Sequence, residues 1–145
     1  MTLSVIRNNL KSIEFNKIIQ EGIFETKNEI VEYQKGQMLR GLKSTGAIIG
    51  KYKNKDYAIK KANMNPLAGI NNVDLRLTGE FQRNIKLKFF SSSFEIFSTD
   101  WKFEELSNKY GNEIFGLSVP YRAEYSELYL AEKLTKKIKN HINGM

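Results

Sequence analysis

From Asn16 to Leu42 the apolar residues Ile18, Ile19, Ile23, Ile30, Val31, Met38 and Leu42 recur mostly at three- and four-residue intervals. That spacing lays one apolar stripe along a helix and predicts a long N-terminal helix here. Gly22 and Gly36 interrupt it, each costing about 1 kcal/mol relative to alanine in a helix interior, and so mark points of close packing or bending. Ahead of it, Leu3, Ile6 and Leu10 predict a shorter helix that breaks near Ile13. Ser12 or Asn16 is available as a cap for the free amides that follow.

Ser44-Thr45-Gly46 ends the long helix. Ala47 to Tyr52 then predicts a first short strand, followed by a polar turn at Lys53-Asn54-Lys55-Asp56. Tyr57 to Ala62 fits either a second strand or a helical turn. The stretch 63–72, with Asn63, Asn65, Pro66, Gly69, Asn71 and Asn72, reads as an irregular loop. Asp74 to Asn84 carries Leu75, Leu77 and Phe81, and its Thr78-Gly79-Glu80 centre is compatible with a helix start. The clearest strand follows: Ile85, Leu87 and Phe89 alternate with Lys86 and Lys88, one face apolar and one charged. Ser91-Ser92-Ser93 turns the chain into a second strand, Phe94 to Ser98, completing an antiparallel hairpin in which Glu95 can pair with Lys86 or Lys88.

Asp100 caps a short helix over 101–109, which Tyr110-Gly111 stops. Ser118 and Pro120 announce the last helix, because proline in a first turn gives up an amide that had no partner. Tyr121, Tyr125, Leu128, Ala131, Leu134 or Thr135, Ile138 and Ile142 form its stripe. Early Glu124 and Glu127 and late Lys133, Lys136, Lys137 and Lys139 complement the helix dipole. Together these elements predict an α+β fold, long N-terminal and C-terminal helices packed on a small antiparallel β-sheet, in one domain over 1–145. A chain of 145 residues is long enough to bury about two-thirds of its unfolded surface.

Apolar runs are far shorter than the roughly 20 residues of a membrane span. The N-terminus lacks the basic and apolar regions of a secretion signal. With no cysteine, disulfides and thiolate metal sites are excluded. The net charge of +7 is unevenly spread: residues 43–61 hold six basic groups against Asp56 alone, whereas 91–119 hold Lys102 and Lys109 against Glu95, Asp100, Glu104, Glu105 and Glu113. That polarity suits copies docking head to tail and is also common on monomers.

Chemistry for catalysis is scarce. His141 is the single histidine, and its place in a C-terminal turn favours a solvated imidazole over a general base; a Ser-His-Asp relay would need the tail to fold back. Zinc lacks its usual ligands. Glu104 and Glu105 are adjacent on a helix and diverge, and Asp74 and Glu80 flank a turn, so neither pair makes a magnesium site. The scattered Gly46, Gly50, Gly69 and Gly79 match no phosphate loop. The expectation is a non-enzyme with no catalytic, metal or cofactor residues and no small-molecule substrate.

Lys43, Lys51, Lys53, Lys55, Lys60 and Lys61, with Tyr52 and Tyr57, form a cluster suited to phosphate backbones and base stacking. Because every charge is a lysine, such contact would be weak and non-specific. The competing reading, somewhat favoured, is that these lysines keep an edge strand soluble.

Two segments carry a resemblance. Val73-Asp74-Leu75-Arg76-Leu77-Thr78-Gly79-Glu80-Phe81 resembles the "leucine, any residue, threonine, glycine, acidic, aromatic" run that precedes a strand in small phage virion proteins. Tyr110-Gly111-Asn112-Glu113-Ile114-Phe115-Gly116-Leu117 resembles their "tyrosine, glycine, acidic, isoleucine, phenylalanine, glycine, leucine" segment. The order of features between Gly41 and Pro66 is also similar, so that about two-thirds of the chain resembles the head-tail connector, neck and tail-completion proteins of tailed bacteriophages. The resemblance implies an α+β subunit of a homo-oligomeric ring at the portal, neck or tail junction, assembled in the host cytoplasm into the virion. Its partners would be portal, neck or tail proteins, with non-specific DNA contact as the alternative and no membrane. Gly79, Gly111 and Gly116 would serve as structural turns. Expected contact residues are Lys51, Lys53, Lys55, Tyr57, Lys60, Lys61 and Asn65, and the expected contact regions are the basic segment around 53–61, the 63–72 loop and the C-terminal helix. The 69–72 loop and the basic excess near Lys53 depart from the family.

Overall fold

The structure, a computed structural model, describes residues 2–76 and 79–144. Leu77 and Thr78, expected within the segment leading to the hairpin, lie outside the described residues. The fold is α+β. Its elements in chain order are α1 (Leu3–Lys11), α2 (Phe15–Glu25), α3 (Lys27–Leu39), α4 (Lys55–Met64), a short α5 (Glu80–Arg83), β1 (Ile85–Phe89), β2 (Phe94–Ser98), α6 (Phe103–Tyr110), α7 (Val119–Tyr125) and α8 (Ala131–Ile142).

The expected N-terminal helix is not continuous. The chain kinks at Thr26 (φ −110°, ψ 19°), where the hydroxyl donates back to the Gly22 carbonyl (2.8 Å) and shares a 2.6 Å hydrogen bond with the Tyr125 hydroxyl. A threonine that bonds to its own preceding turn commonly bends a helix. Gly22 is a point of close packing: a Cβ there would sit 3.0 Å from Leu134 Cδ2 and 3.2 Å from Leu130 Cδ1. The break at Ile13 stands where expected, with that residue buried. The caps differ: Ser12 closes α1, Asn16 lies inside α2, and Glu14 precedes α2 without a side-chain cap.

Two further expectations change. The stretch 47–52 forms no strand, because its amides reach separate partners: Ile49 N–H donates to the Gly41 carbonyl (2.8 Å) and Tyr52 N–H to that of Asn71 (2.7 Å). Only isolated bridges result, Leu42 with Ile48 and Lys51 with Asn72. The polar run at 53–56 is a helix start: Asn54 Oδ1 accepts from Tyr57 N–H at 2.9 Å, and Asp56 sits in the favourable first turn. Tyr57 to Ala62 is therefore helical, and the lysines around it lie on and before a helix, not along an edge strand.

The hairpin follows its alternation. Ile85, Leu87 and Phe89 lie opposite Ser98, Ile96 and Phe94, Lys86 opposite Phe97, and Lys88 opposite Glu95. Its apolar face packs on α3, whose Ile30 and Met38, with Ile114, are the fully buried centre of the core. Two glutamines on α3 hold the 114–118 segment in place. Gln34 donates to the Ile114 carbonyl (3.2 Å) and accepts from Gly116 N–H (2.8 Å), while Gln37 donates to the Gly116 carbonyl (2.7 Å) and accepts from Ser118 N–H (2.8 Å). Buried amides are tolerated because both ends of each are satisfied.

The C-terminal helix packs antiparallel to the first three, α7 on α3 and α8 on α2 and α1. Lys137 contacts Glu25 at 2.7 Å, and this hydrogen bond lowers the Glu25 pKa and raises that of Lys137. Between α7 and α8 a π turn spans Ser126–Leu130. A π turn inserts one residue into an α-helix, so the inward stripe runs Tyr125, Leu130, Leu134, Ile138. The expected Leu128 is instead 58% exposed. Deleting Leu128 is accordingly expected to convert the π turn to α-helix and preserve the packed face. Thermal unfolding of the deletion variant should show a midpoint at or above that of the parent; a collapse of the transition would contradict this reading.

Candidate functional site

A buried ammonium must be paired to be tolerated, and Lys61 shows how this chain arranges that. Helical spacing on α4 puts Tyr57 and Lys61 one turn apart. Lys61 is buried, with Nζ 2.7 Å from Asp74 Oδ1, and it also donates to the Arg76 carbonyl. Asp74 is saturated with donors: Arg76 N–H at 3.0 Å, Asn65 Nδ2 at 2.9 Å and the Tyr52 hydroxyl at 3.5 Å. Asn65 Nδ2 reaches the Leu39 carbonyl as well (2.7 Å), while its Oδ1 accepts from Leu67 N–H (3.2 Å). Burial, and next the Asp74 carboxylate, push the Tyr52 phenol far above its ordinary pKa.

This network carries the strained backbone between α4 and α5. Asn71 (φ 72°) and Leu75 (φ 56°) are both left-handed. For leucine that conformation is costly, and here Asp74 holds it from both sides through Lys61 and Arg76 N–H.

Above the network lies a cavity of about 290 Å³, lined by Tyr52, Tyr57, Lys61, Arg76, Lys102, Lys109 and Tyr110 around a floor that includes Val73, Leu75, Phe81 and Leu106. The Tyr52 and Tyr57 rings meet edge to face, with centroids 5.1 Å apart. Lys109 Nζ lies 5.2 Å over the Tyr110 ring. Among the described lining residues the ionisable side chains other than tyrosine are all cationic, and only Lys61 has a carboxylate partner. Such a site can accept an anion and stack a flat ring.

The expected contact residues divide. Lys51, Lys53, Lys55 and Lys60 are exposed, and Tyr57 is partly exposed at the cavity mouth. Lys61 and Asn65 differ from these: both are buried in the Asp74 network, and Lys61 also lines the cavity. Arg76, Lys102 and Lys109 stand where the sequence reading expected no site. The acidic balance of 91–119 hides the helical spacing of Lys102, Leu106 and Lys109, which brings both lysines to one side of α6; Glu105 is one turn from each, and Glu104 points away. Asp100 leads into that helix, accepting from Lys102 N–H at 2.9 Å.

Gly79, Gly111 and Gly116 have φ of 84°, 87° and 107°. At Gly116 space is limiting too, since a Cβ would approach Ser44 Cβ to 3.1 Å. His141 is half-buried, and the tail does fold back: Nε2 lies 2.8 Å from Ser12 Oγ. The Ser12 hydroxyl also lies 2.8 Å from the Asn9 carbonyl. No helix among the described residues is long and apolar enough to cross a membrane. No family model, curated protein or solved structure matches this chain.

Asp74→Ala strips Lys61, Asn65 and Arg76 N–H of their shared acceptor, and the loss expected in urea unfolding is about 3–5 kcal/mol. Lys53→Ala, at an exposed position, should stay within about 0.5 kcal/mol. Equal, small effects at both positions would contradict the network's structural role.

Proposed function

We propose that this chain is a virion structural protein, a subunit of a ring at the portal, neck or tail junction of a tailed phage, acting through protein–protein contacts and not through catalysis. The observation that carries this reading is a pair of exposed apolar clusters on different elements. One comprises Phe15 (54% exposed) on α2 and Phe90 beyond β1, where Gln20 Nε2 donates to the Phe90 carbonyl at 3.2 Å; Phe24 (53%), half a turn round α2 from Phe15, packs on Phe89 with ring centroids 5.4 Å apart. The other comprises Ile59 and Met64 on α4 with Leu67 (60%) and Ile70 (66%) just beyond it. Contiguous exposed apolar surface marks interaction sites, and a ring needs two unlike patches that meet between neighbouring copies. The second cluster falls in the 53–72 region expected to make contacts. The two segments that resemble phage connector proteins also pack on each other, with Phe81 and Phe115 ring centroids 5.9 Å apart.

A second reading, a non-specific nucleic-acid-binding accessory protein, draws on the exposure of Lys51, Lys53, Lys55 and Lys60. It requires an affinity that falls steeply with salt.

Light scattering coupled to size-exclusion chromatography tests the assembly reading. A concentration-dependent oligomer is expected, reduced to monomer by Phe15→Ser with Phe90→Ser or by Leu67→Ser with Ile70→Ser. A strict monomer at high concentration that also fails to bind portal, neck or tail proteins would overturn it.

A further inference from the structure

We propose that the cavity between α4, α6 and residues 73–76 is a binding site for a single nucleotide, a flat base carrying a phosphate. The site is distinct from the two apolar clusters, and the inference does not depend on the assembly reading.

Charge argues for an anion. With Lys61 neutralised by Asp74, three cations remain around the cavity: Arg76, Lys102 and Lys109. None of them has a carboxylate within ion-pair distance among the described residues. Like charges lining one cavity repel, and an anion of more than one charge relieves that repulsion. A phosphate does so and matches the planar fork of an arginine. The walls argue for a ring. Tyr52, Tyr57 and Tyr110 present aromatic surface beside the apolar floor, and tyrosine stacks on any base without regard to sequence. Size argues for one nucleotide only, since about 290 Å³ is at the lower end of small-molecule pockets, roughly 300–1,000 Å³.

The test is calorimetric titration of the full chain at low salt with the four nucleoside monophosphates, their nucleosides and inorganic phosphate. At least one monophosphate should bind with one-to-one saturation, and its nucleoside and phosphate alone should each bind at least about tenfold more weakly. Lys102→Gln with Lys109→Gln should weaken binding by at least about tenfold. Lys55→Gln with Lys60→Gln removes the same charge outside the lining and should leave binding nearly unchanged. The proposal is overturned if no monophosphate saturates, if nucleoside or phosphate binds equally well, or if the two double variants behave alike. It is also overturned if affinity for oligothymidylate grows with length and ignores Lys102 and Lys109. Should the Lys102/Lys109 variant lose its native circular dichroism, the comparison of monophosphate with nucleoside on the parent chain still decides.

Discussion

The buried Lys61–Asp74 ion pair is the constraint on which the middle of this structure depends. Two charges removed from water are tolerated only when further hydrogen bonds satisfy what remains of each group, and the chain between Leu39 and Arg76 is arranged to supply them. Asn65 bridges Asp74 to the Leu39 carbonyl at the end of α3. Arg76 gives its amide to the carboxylate and its carbonyl to the ammonium. In consequence α4 docks, the segment 65–76 winds through two left-handed residues, and the cavity above acquires its tyrosine walls. Stability and site are thus consequences of one arrangement.

A second dependence links the two ends of the chain. The kink at Thr26 and the π turn that starts at Ser126 face each other across the hydrogen bond between the Thr26 and Tyr125 hydroxyls. Each interruption makes sense in the presence of the other. Bending the N-terminal helices at Thr26 changes their path, and the extra residue in the C-terminal helix returns Leu130 and Leu134 to the inward face, against Gly22.

Much of the fold was legible where local pattern and tertiary packing agree. The hairpin's alternation, the break at Ile13, the stop at Gly111 and the proline-led start of the last helix each follow from short-range rules. What could not be read were features set at long range. Thr26 looks like an ordinary helical residue until Tyr125 is beside it. Gln34 and Gln37 interrupt an apolar stripe as solvent-facing residues would, yet they are buried because the 114–118 backbone needs partners. Lys61 is indistinguishable by type from Lys60, and only the approach of Asp74 separates a buried cation from a surface one. The cavity is hidden for the same reason: Lys61 belongs to the basic segment, Lys102 and Lys109 to the acidic one, and Arg76 to neither.

The most direct test of the account is native-state hydrogen exchange on Lys61→Met, which removes the buried cation without removing any backbone acceptor. If the ion pair organises the middle of the chain, the amides of Tyr52, Leu67 and Val73, which bond to Asn71, Asn65 and Gly50, will exchange much faster. Those of Thr26 and Arg122 will keep their protection. Unchanged exchange at Tyr52, Leu67 and Val73, or an equal loss of protection along the whole chain, would contradict it.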